Sequence, residues 1–269
     1  MEEKVQISTE EKIILMADTI VYGQKPYWSS GDYRQQCLSI LMPKQQKECT
    51  ENRVYPLIVF ICGGSFQRVQ RNVWMPELVE YAKKGYVVAS VDYSVLPYTI
   101  FPEALEDIKA AIRYLRANAS QFSIDPANVG IMGESAGACL ALLAAVTSGM
   151  QEYDKGENCE YSSSVQTAVA FYPASSPAFL EEPKLAVDVS GYPDIRNLVT
   201  EQCPPVYLLH GLSDKVIPYT QSVRLYDRLQ EMKVKCDLTL IEDADHADDK
   251  FFQGQIKNRV CRFLDQYLK

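Results

Sequence analysis

A doubly wound, mostly parallel α/β sheet with helices on both faces is the fold class this sequence predicts, on three observations. Short runs rich in β-branched and aromatic residues alternate with stretches of helical period, the rhythm of repeated strand–helix–strand units. The clearest run, Leu57-Ile-Val-Phe-Ile61, is apolar at every position, as a strand covered on both faces must be. Hydrophobic residues at 47% against 23% charged supply the apolar surface that a core on two faces requires.

Each element follows in order. Lys25 to Asn52 is expected to hold strands of an antiparallel edge with polar loops between them. After the Leu57–Ile61 strand, Trp74 to Lys84 reads as a helix stopped by Gly85, and Tyr86-Val-Val-Ala-Ser-Val91 as the next strand. Phe101 to Phe122 is helical, with Leu105, Ile108, Ile112 and Leu115 on one face and Pro102 near its start. Asp125-Pro-Ala-Asn128 is a turn leading into the strand Val129-Gly-Ile-Met132, and a helix of small residues follows over Ala136 to Thr147. Later strands are expected at Val165–Phe171, Pro205–Leu209 and Leu238–Ile241, with helices at about Tyr219–Met232 and Gln255–Leu268. The chain reads as a single domain over residues 1–269, without internal repeats. Pro173 to Cys203 lacks a period and is punctuated by prolines, which marks it as a candidate small cap inserted over the sheet edge.

Composition excludes several classes of function. A net charge of −8 argues against a nucleic-acid partner, which would demand a basic face to displace counterions. The N-terminal Met1-Glu-Glu-Lys-Val-Gln6 lacks the apolar core of a signal peptide, and no run reaches the length of a membrane span; a cytosolic protein without a membrane partner is expected. Eight cysteines at 37, 49, 62, 139, 159, 203, 236 and 261 include no C-x-x-C pair, so they read as reduced thiols. With only His210 and His246 as histidines, neither a metal nor any other cofactor is expected.

The chemistry centres on Gly133-Glu-Ser-Ala-Gly137, a match to G-x-S-x-G. The pattern is weak alone, but here it follows an apolar strand and opens a helix, the setting of a nucleophile elbow. A serine hydroxyl needs a base to take its proton. His210 stands where one strand ends and His246 in Asp243-Ala-Asp-His-Ala247 after the last strand, and both lie near the carboxyl ends where a parallel sheet meets its ligand. The chain order nucleophile, acid, histidine favours His246, which leaves room for an acid after Ser135. Asp214, on the loop following the strand that ends at Leu209, is the preferred acid. Asp243, Asp245, Asp248 and Asp249 are rivals by proximity, and His210 is then a structural residue tying its loop. Glu134, beside the serine, is expected to face a neighbouring shell or the substrate. An acyl-transfer reaction also needs backbone N–H donors for its oxyanion; Ala136 and the loop Cys62-Gly-Gly-Ser65 are the places to find them. Cys62 is expected to be neither nucleophile nor ligand, and Arg68 and Arg71 on the same loop to be solvated surface arginines.

Phe101 to Leu143 ("FPEALEDIKAAIRYLRANASQFSIDPANVGIMGESAGACLALL") and His210 to Leu229 ("HGLSDKVIPYTQSVRLYDRL") resemble the esterase and lipase branch of the α/β-hydrolase superfamily, the hormone-sensitive-lipase-like and small bacterial carbohydrate or feruloyl esterases. Asp243 to Phe252 is similar to it less closely. The resemblance covers about Tyr55 to Leu268 and implies the α/β-hydrolase fold with a serine esterase activity. It implies Ser135 as nucleophile, Asp214 as acid and His246 as base, with an oxyanion hole at Gly64, Ser65 and Ala136. The chain departs from the family's His-Gly-Gly-Gly loop at Cys62 and Ser65. The expected substrate is a small acyl ester, with acetylated or feruloylated saccharides as family-level candidates. Amide or peptide hydrolysis on the same machinery, and a non-catalytic binding module on the same fold, are the alternatives.

Overall fold

Among the described residues eight strands form one sheet in the order β1-β2-β4-β3-β5-β6-β7-β8. They are β1 (Ile14–Pro26), β2 (Tyr33–Pro43), β3 (Tyr55–Ile61), β4 (Val87–Val91), β5 (Ile124–Glu134), β6 (Thr167–Phe171), β7 (Val206–Gly211) and β8 (Cys236–Ile241). The computed structural model describes residues 2–7, 11–26, 31–45, 53–176, 189 and 191–269. The pairs β1–β2 and β2–β4 are antiparallel, and every later pairing is parallel. With five α-helices among the described residues, α1 (Met75–Lys83), α2 (Glu103–Ala117), α3 (Ala136–Val146), α4 (Thr220–Glu231) and α5 (Gly254–Leu268), this is the α/β-hydrolase fold.

The continuously apolar strands divide their side chains between two cores. Leu57, Val59 and Ile61 of β3 face a core shared with α2, α3 and α4, among them Ile108, Ile112, Leu140 and Leu225. Ile58 and Phe60 face the opposite core, filled by Met75 and Leu78 of α1 and by Val260 and Leu264 of α5. That division explains why β3 shows no alternation of polar and apolar residues.

Three elements differ from expectation. The antiparallel edge begins at Ile14, ahead of the expected Lys25, because register shifts between Ala17 and Ile20 and between Val21 and Gly23 break the period-two pattern of β1. The turn at Asp125–Asn128 lies inside β5. Pairing jumps from Pro56↔Asp125 to Leu57↔Val129, and the Asp125 carboxylate accepts from Ala127 N and Asn128 Nδ2 at 3.0 and 2.8 Å to hold the excursion. The third difference is Arg71, expected in solvent but only 17% exposed at its side chain. Its guanidinium donates to Asp92 Oδ2 at 2.5 Å, Ser39 Oγ at 2.9 Å and Asp18 Oδ1 at 3.0 Å, so it clamps the loop after β3 to β1, β2 and β4. Arg68 is exposed as expected.

The buried face of α2 carries cations among its apolar residues. Lys109 Nζ donates to Thr147 O at 2.7 Å, and Arg116 Nε to Pro126 O at 2.9 Å. Between them Arg113, fully buried, donates to Asp154 Oδ1 at 2.9 Å and to the carbonyls of Glu157 and Lys155. Lys109 and Arg113 thereby satisfy carbonyls of the connection after α3, which has little regular structure to do so, and Arg116 one of the excursion in β5. Replacing Arg113 with methionine orphans those acceptors while keeping the volume. It is expected to cost about 3 kcal/mol, read as a lower urea midpoint at unchanged m-value.

The candidate cap over residues 173–203 falls partly outside the described residues, since 177–188 and 190 are not described. Its described flanks pack inward. Ile195 N donates to Ser175 O at 2.9 Å, and the Tyr192 ring sits 4.7 Å from Phe66 and 5.0 Å from Phe101. Among the described residues no helix is long and apolar enough to cross a membrane.

Candidate active site

Ser135 sits between the end of β5 and the start of α3 with φ 54° and ψ −122°. A positive φ at a non-glycine residue costs of order 1–3 kcal/mol, so the surroundings must enforce it. They do so through the backbone. Ser135 N donates to Phe171 O at 3.0 Å on β6, while Ser135 O accepts from Ala138 N and Cys139 N at 3.0 and 3.1 Å. The two glycines of the motif make the turn sterically feasible. A Cβ at Gly133 would collide with the carbonyl of Gly137, and one at Gly137 with the carbonyls of Ile61 and Cys62.

Ser135 Oγ lies 2.9 Å from His246 Nε2, and His246 Nδ1 lies 2.8 Å from Asp214 Oδ2. A carboxylate only accepts, so Nδ1 carries the proton and Nε2 is left to accept from the serine hydroxyl. The Tyr172 ring meets the imidazole edge-on at 4.7 Å and is backed by Phe251 at 4.6 Å, which limits rotation of the ring. The Asp214 side chain is fully buried. Burial alone would raise its carboxyl, but contacts from His210 and His246 and the Ile217 N–H outweigh it and hold it well below the usual carboxylate range. Its other oxygen, Oδ1, accepts from Val216 N and Ile217 N, both at 2.8 Å.

Two of the rival carboxylates, Asp245 and Asp248, are engaged by backbone N–H groups. Asp245 Oδ1 accepts from the backbone N–H groups of His246 and Lys215 at 2.7 and 3.0 Å. Asp248 accepts from Asp245 N and Lys250 N at 3.4 and 2.9 Å. His210 is fully buried, as a structural residue would be, yet its Nε2 also lies 3.2 Å from Asp214 Oδ2, a contact the sequence reading missed. The His-x-x-x-Asp spacing on one strand-end loop was the available signal.

The N–H groups of Gly64 and Ser65 on the loop after β3, and of Ala136 at the start of α3, donate to no other group among the described residues, whereas Gly63 N donates to Glu134 Oε1. Trp74 Nε1 donates to the same oxygen at 3.2 Å, and its ring stacks on Phe252 at 4.2 Å. Glu134 therefore ties the serine turn to this loop instead of facing solvent. Burial pushes its carboxyl up, against the opposing pull of the Gly63 and Trp74 N–H groups. The loop itself is tightly wound, with Gly64, Ser65 and Phe66 all at positive φ and Gly64 O accepting from Gln67 N at 3.0 Å.

Cys62 is buried, and its Sγ contacts Gln70 O at 3.3 Å. Burial, reinforced by the Glu134 charge, pushes the thiol well up, which is the opposite of what a nucleophilic cysteine requires. Cys62→Ala is expected to keep turnover of p-nitrophenyl acetate within about tenfold of wild type, or 1.4 kcal/mol in barrier. Among the described residues no group of three or more His, Cys, Asp or Glu side chains is arranged to hold a metal ion.

The family model BD-FAE matches residues 38–186. Esterase LipC of Mycobacterium tuberculosis is 29% identical over 234 residues, covering 78% of this chain and 58% of that protein. Isoprenylcysteine alpha-carbonyl methylesterase ICME of Arabidopsis thaliana is 25% identical over 273 residues, covering 92% of this chain and 60% of its own length. The chain thus spans less than two thirds of either relative. Among solved structures, a truncated form of a carbohydrate esterase from gut microbiota superposes with a TM-score of 0.79 at 23% identity, covering 97% of this chain and 98% of that one. Thermogutta terrifontis esterase 2 phosphorylated by paraoxon does so with a TM-score of 0.73 at 21% identity, covering 93% of this chain and 92% of that one. At these identities the structural likeness speaks for the fold.

Proposed function

The chain belongs to the BD-FAE family of α/β-hydrolases, and from that premise we propose that it is a serine carboxylesterase acting on small acyl esters through Ser135, His246 and Asp214. One observation carries the reading: the hydrogen-bonded run from Ser135 Oγ through His246 to the buried Asp214, at 2.9 and 2.8 Å, starting from a serine held at positive φ. In this reading His246 Nε2 takes the hydroxyl proton as Oγ attacks the ester carbonyl. The N–H groups of Gly64, Ser65 and Ala136 receive the oxyanion. His246 then gives the proton to the departing alkoxide, leaving an acyl-enzyme, and water repeats the sequence to release the acid. The imidazolium formed in between is stabilised by Asp214.

The relatives named esterase and methylesterase support ester over amide substrates, and acetylated or feruloylated saccharides, in which the sugar is the alcohol portion, are the candidate esters to test. Two measurements test the reading. A fluorophosphonate should label Ser135, located by mass spectrometry of the digested chain. Matched ester and anilide substrates of the same acyl group, followed by a panel of acetyl-sugar and feruloyl esters, should show the ester cleaved faster. An unlabelled Ser135 would return the chain to a binding role on this fold, and faster anilide turnover would make it an amidase.

A further inference from the structure

We propose that His210 is a positioning residue for the acid of this site, an inference that rests on the esterase reading above and adds a second histidine to it. Three observations carry it. The His210 ring is fully buried at the end of β7, where it spans to the loop bearing Asp214 and to α4. Its Nε2 lies 2.9 Å from Ile217 O and 3.2 Å from Asp214 Oδ2, the same oxygen that His246 Nδ1 approaches at 2.8 Å. Its Nδ1 lies 2.7 Å from Ser222 Oγ on α4.

Acceptor chemistry settles the tautomer. Ile217 O and the Asp214 carboxylate cannot donate, so Nε2 carries the proton and Nδ1 accepts from the Ser222 hydroxyl. One N–H thus sits against both a backbone carbonyl of the acid's loop and the acid's working oxygen. Asp214 Oδ1 is already held by Val216 N and Ile217 N, so the carboxylate is gripped at both oxygens and its rotation about the Cβ–Cγ bond is blocked. His210 fixes the oxygen that aims His246, which makes it part of the alignment of the site and not only a filler of the strand end. A small misplacement there is costly, since catalytic alignment tolerates little displacement.

The test uses the full chain with three variants. His210→Leu removes the N–H and keeps the bulk, His210→Gln keeps an N–H near the Nε2 position, and Ser222→Ala frees the ring at Nδ1. With p-nitrophenyl acetate, His210→Leu is expected to lower kcat by about 100-fold with KM within about twofold, the pattern of a contact felt only in the transition state. His210→Gln should recover most of that loss, and Ser222→Ala should lose a few-fold. Because the chain has only two histidines, 15N-histidine labelling gives two imidazole sets, assigned by the loss of one in the His210 variants. The His246 Nδ1 proton should move in Ser222→Ala and His210→Leu and return toward its wild-type shift in His210→Gln. If His210→Leu fails to fold, His210→Gln and Ser222→Ala decide alone. Wild-type kcat in both, with an unmoved Nδ1 proton, overturns the inference, as does a loss in His210→Leu that His210→Gln does not relieve. A wild-type chain whose Ser135 takes no fluorophosphonate overturns the esterase reading itself, whereas a labelled wild type with indifferent variants overturns only the role of His210.

Discussion

Ser135→Ala is expected to lower kcat for p-nitrophenyl acetate by at least about 10^4-fold while leaving the fold intact, since in the proposed mechanism the hydroxyl is the atom that bonds to substrate and nothing nearby replaces it. Cys62 is buried with its thiol pushed up, so it cannot substitute as a nucleophile. Alanine tolerates the φ of 54° no better and no worse than serine, so the backbone bonds from Ser135 N to Phe171 O and from Ala138 N to Ser135 O should persist. The check is paired: steady-state turnover beside a urea melt of the same preparation. Turnover within tenfold of wild type in a folded Ser135→Ala variant would sink the acyl-enzyme mechanism.

The second large effect is expected from Asp214→Asn, a loss of about 10^4-fold in kcat with little change in KM. The direction follows from which oxygen meets the His246 ring. Oδ1 of Asp214 accepts two backbone N–H groups, from Val216 and Ile217, so an asparagine carbonyl must stay on that side. Its amide nitrogen is then forced toward His246 Nδ1, where donor would meet donor. The imidazole can resolve this only by moving its proton to Nε2, the atom that must accept from Ser135 2.9 Å away. Asp245→Asn is the control, because that carboxylate serves the backbone N–H of His246 and not its ring. The assignment of the acid fails if Asp214→Asn stays within about tenfold or if Asp245→Asn loses as much.

The fold was legible where burial is symmetric. β3 and β4 are covered on both faces, so their apolar runs needed no partner to be recognised. β1 was not legible, because an edge strand with bulges at Ala17–Ile20 and Val21–Gly23 has neither full burial nor a clean period. Arg71 was misread for a related reason. Its partners Asp18 and Asp92 lie 53 and 21 residues away in sequence and meet it only once the sheet is assembled. Glu134 looked like a substrate-side or neighbouring-shell group, and its bond to Gly63 N depends on how closely the loop after β3 approaches the serine turn.

What the sequence determined by itself is the elbow. Its pattern is local, five residues in which Gly133 must lack a Cβ to clear the Gly137 carbonyl, although the demand on Gly137 itself comes from the Ile61 and Cys62 carbonyls across the sheet. Which carboxylate meets the imidazole was a tertiary decision. The sequence preferred Asp214 over four rivals closer to His246 by its place after a strand, but only the assembled sheet brings its carboxylate to the imidazole. The parallel register of β7 and β8, ending at Gly211↔Ile241, lays the loops beyond them side by side, stitched by Leu212 N to Ile241 O at 2.9 Å and Ser213 N to Ala244 O at 3.0 Å. Asp214 and His246, 32 residues apart in sequence, thereby come within hydrogen-bond distance, because a sheet brings together the ends of its neighbouring strands whatever the length of chain between them.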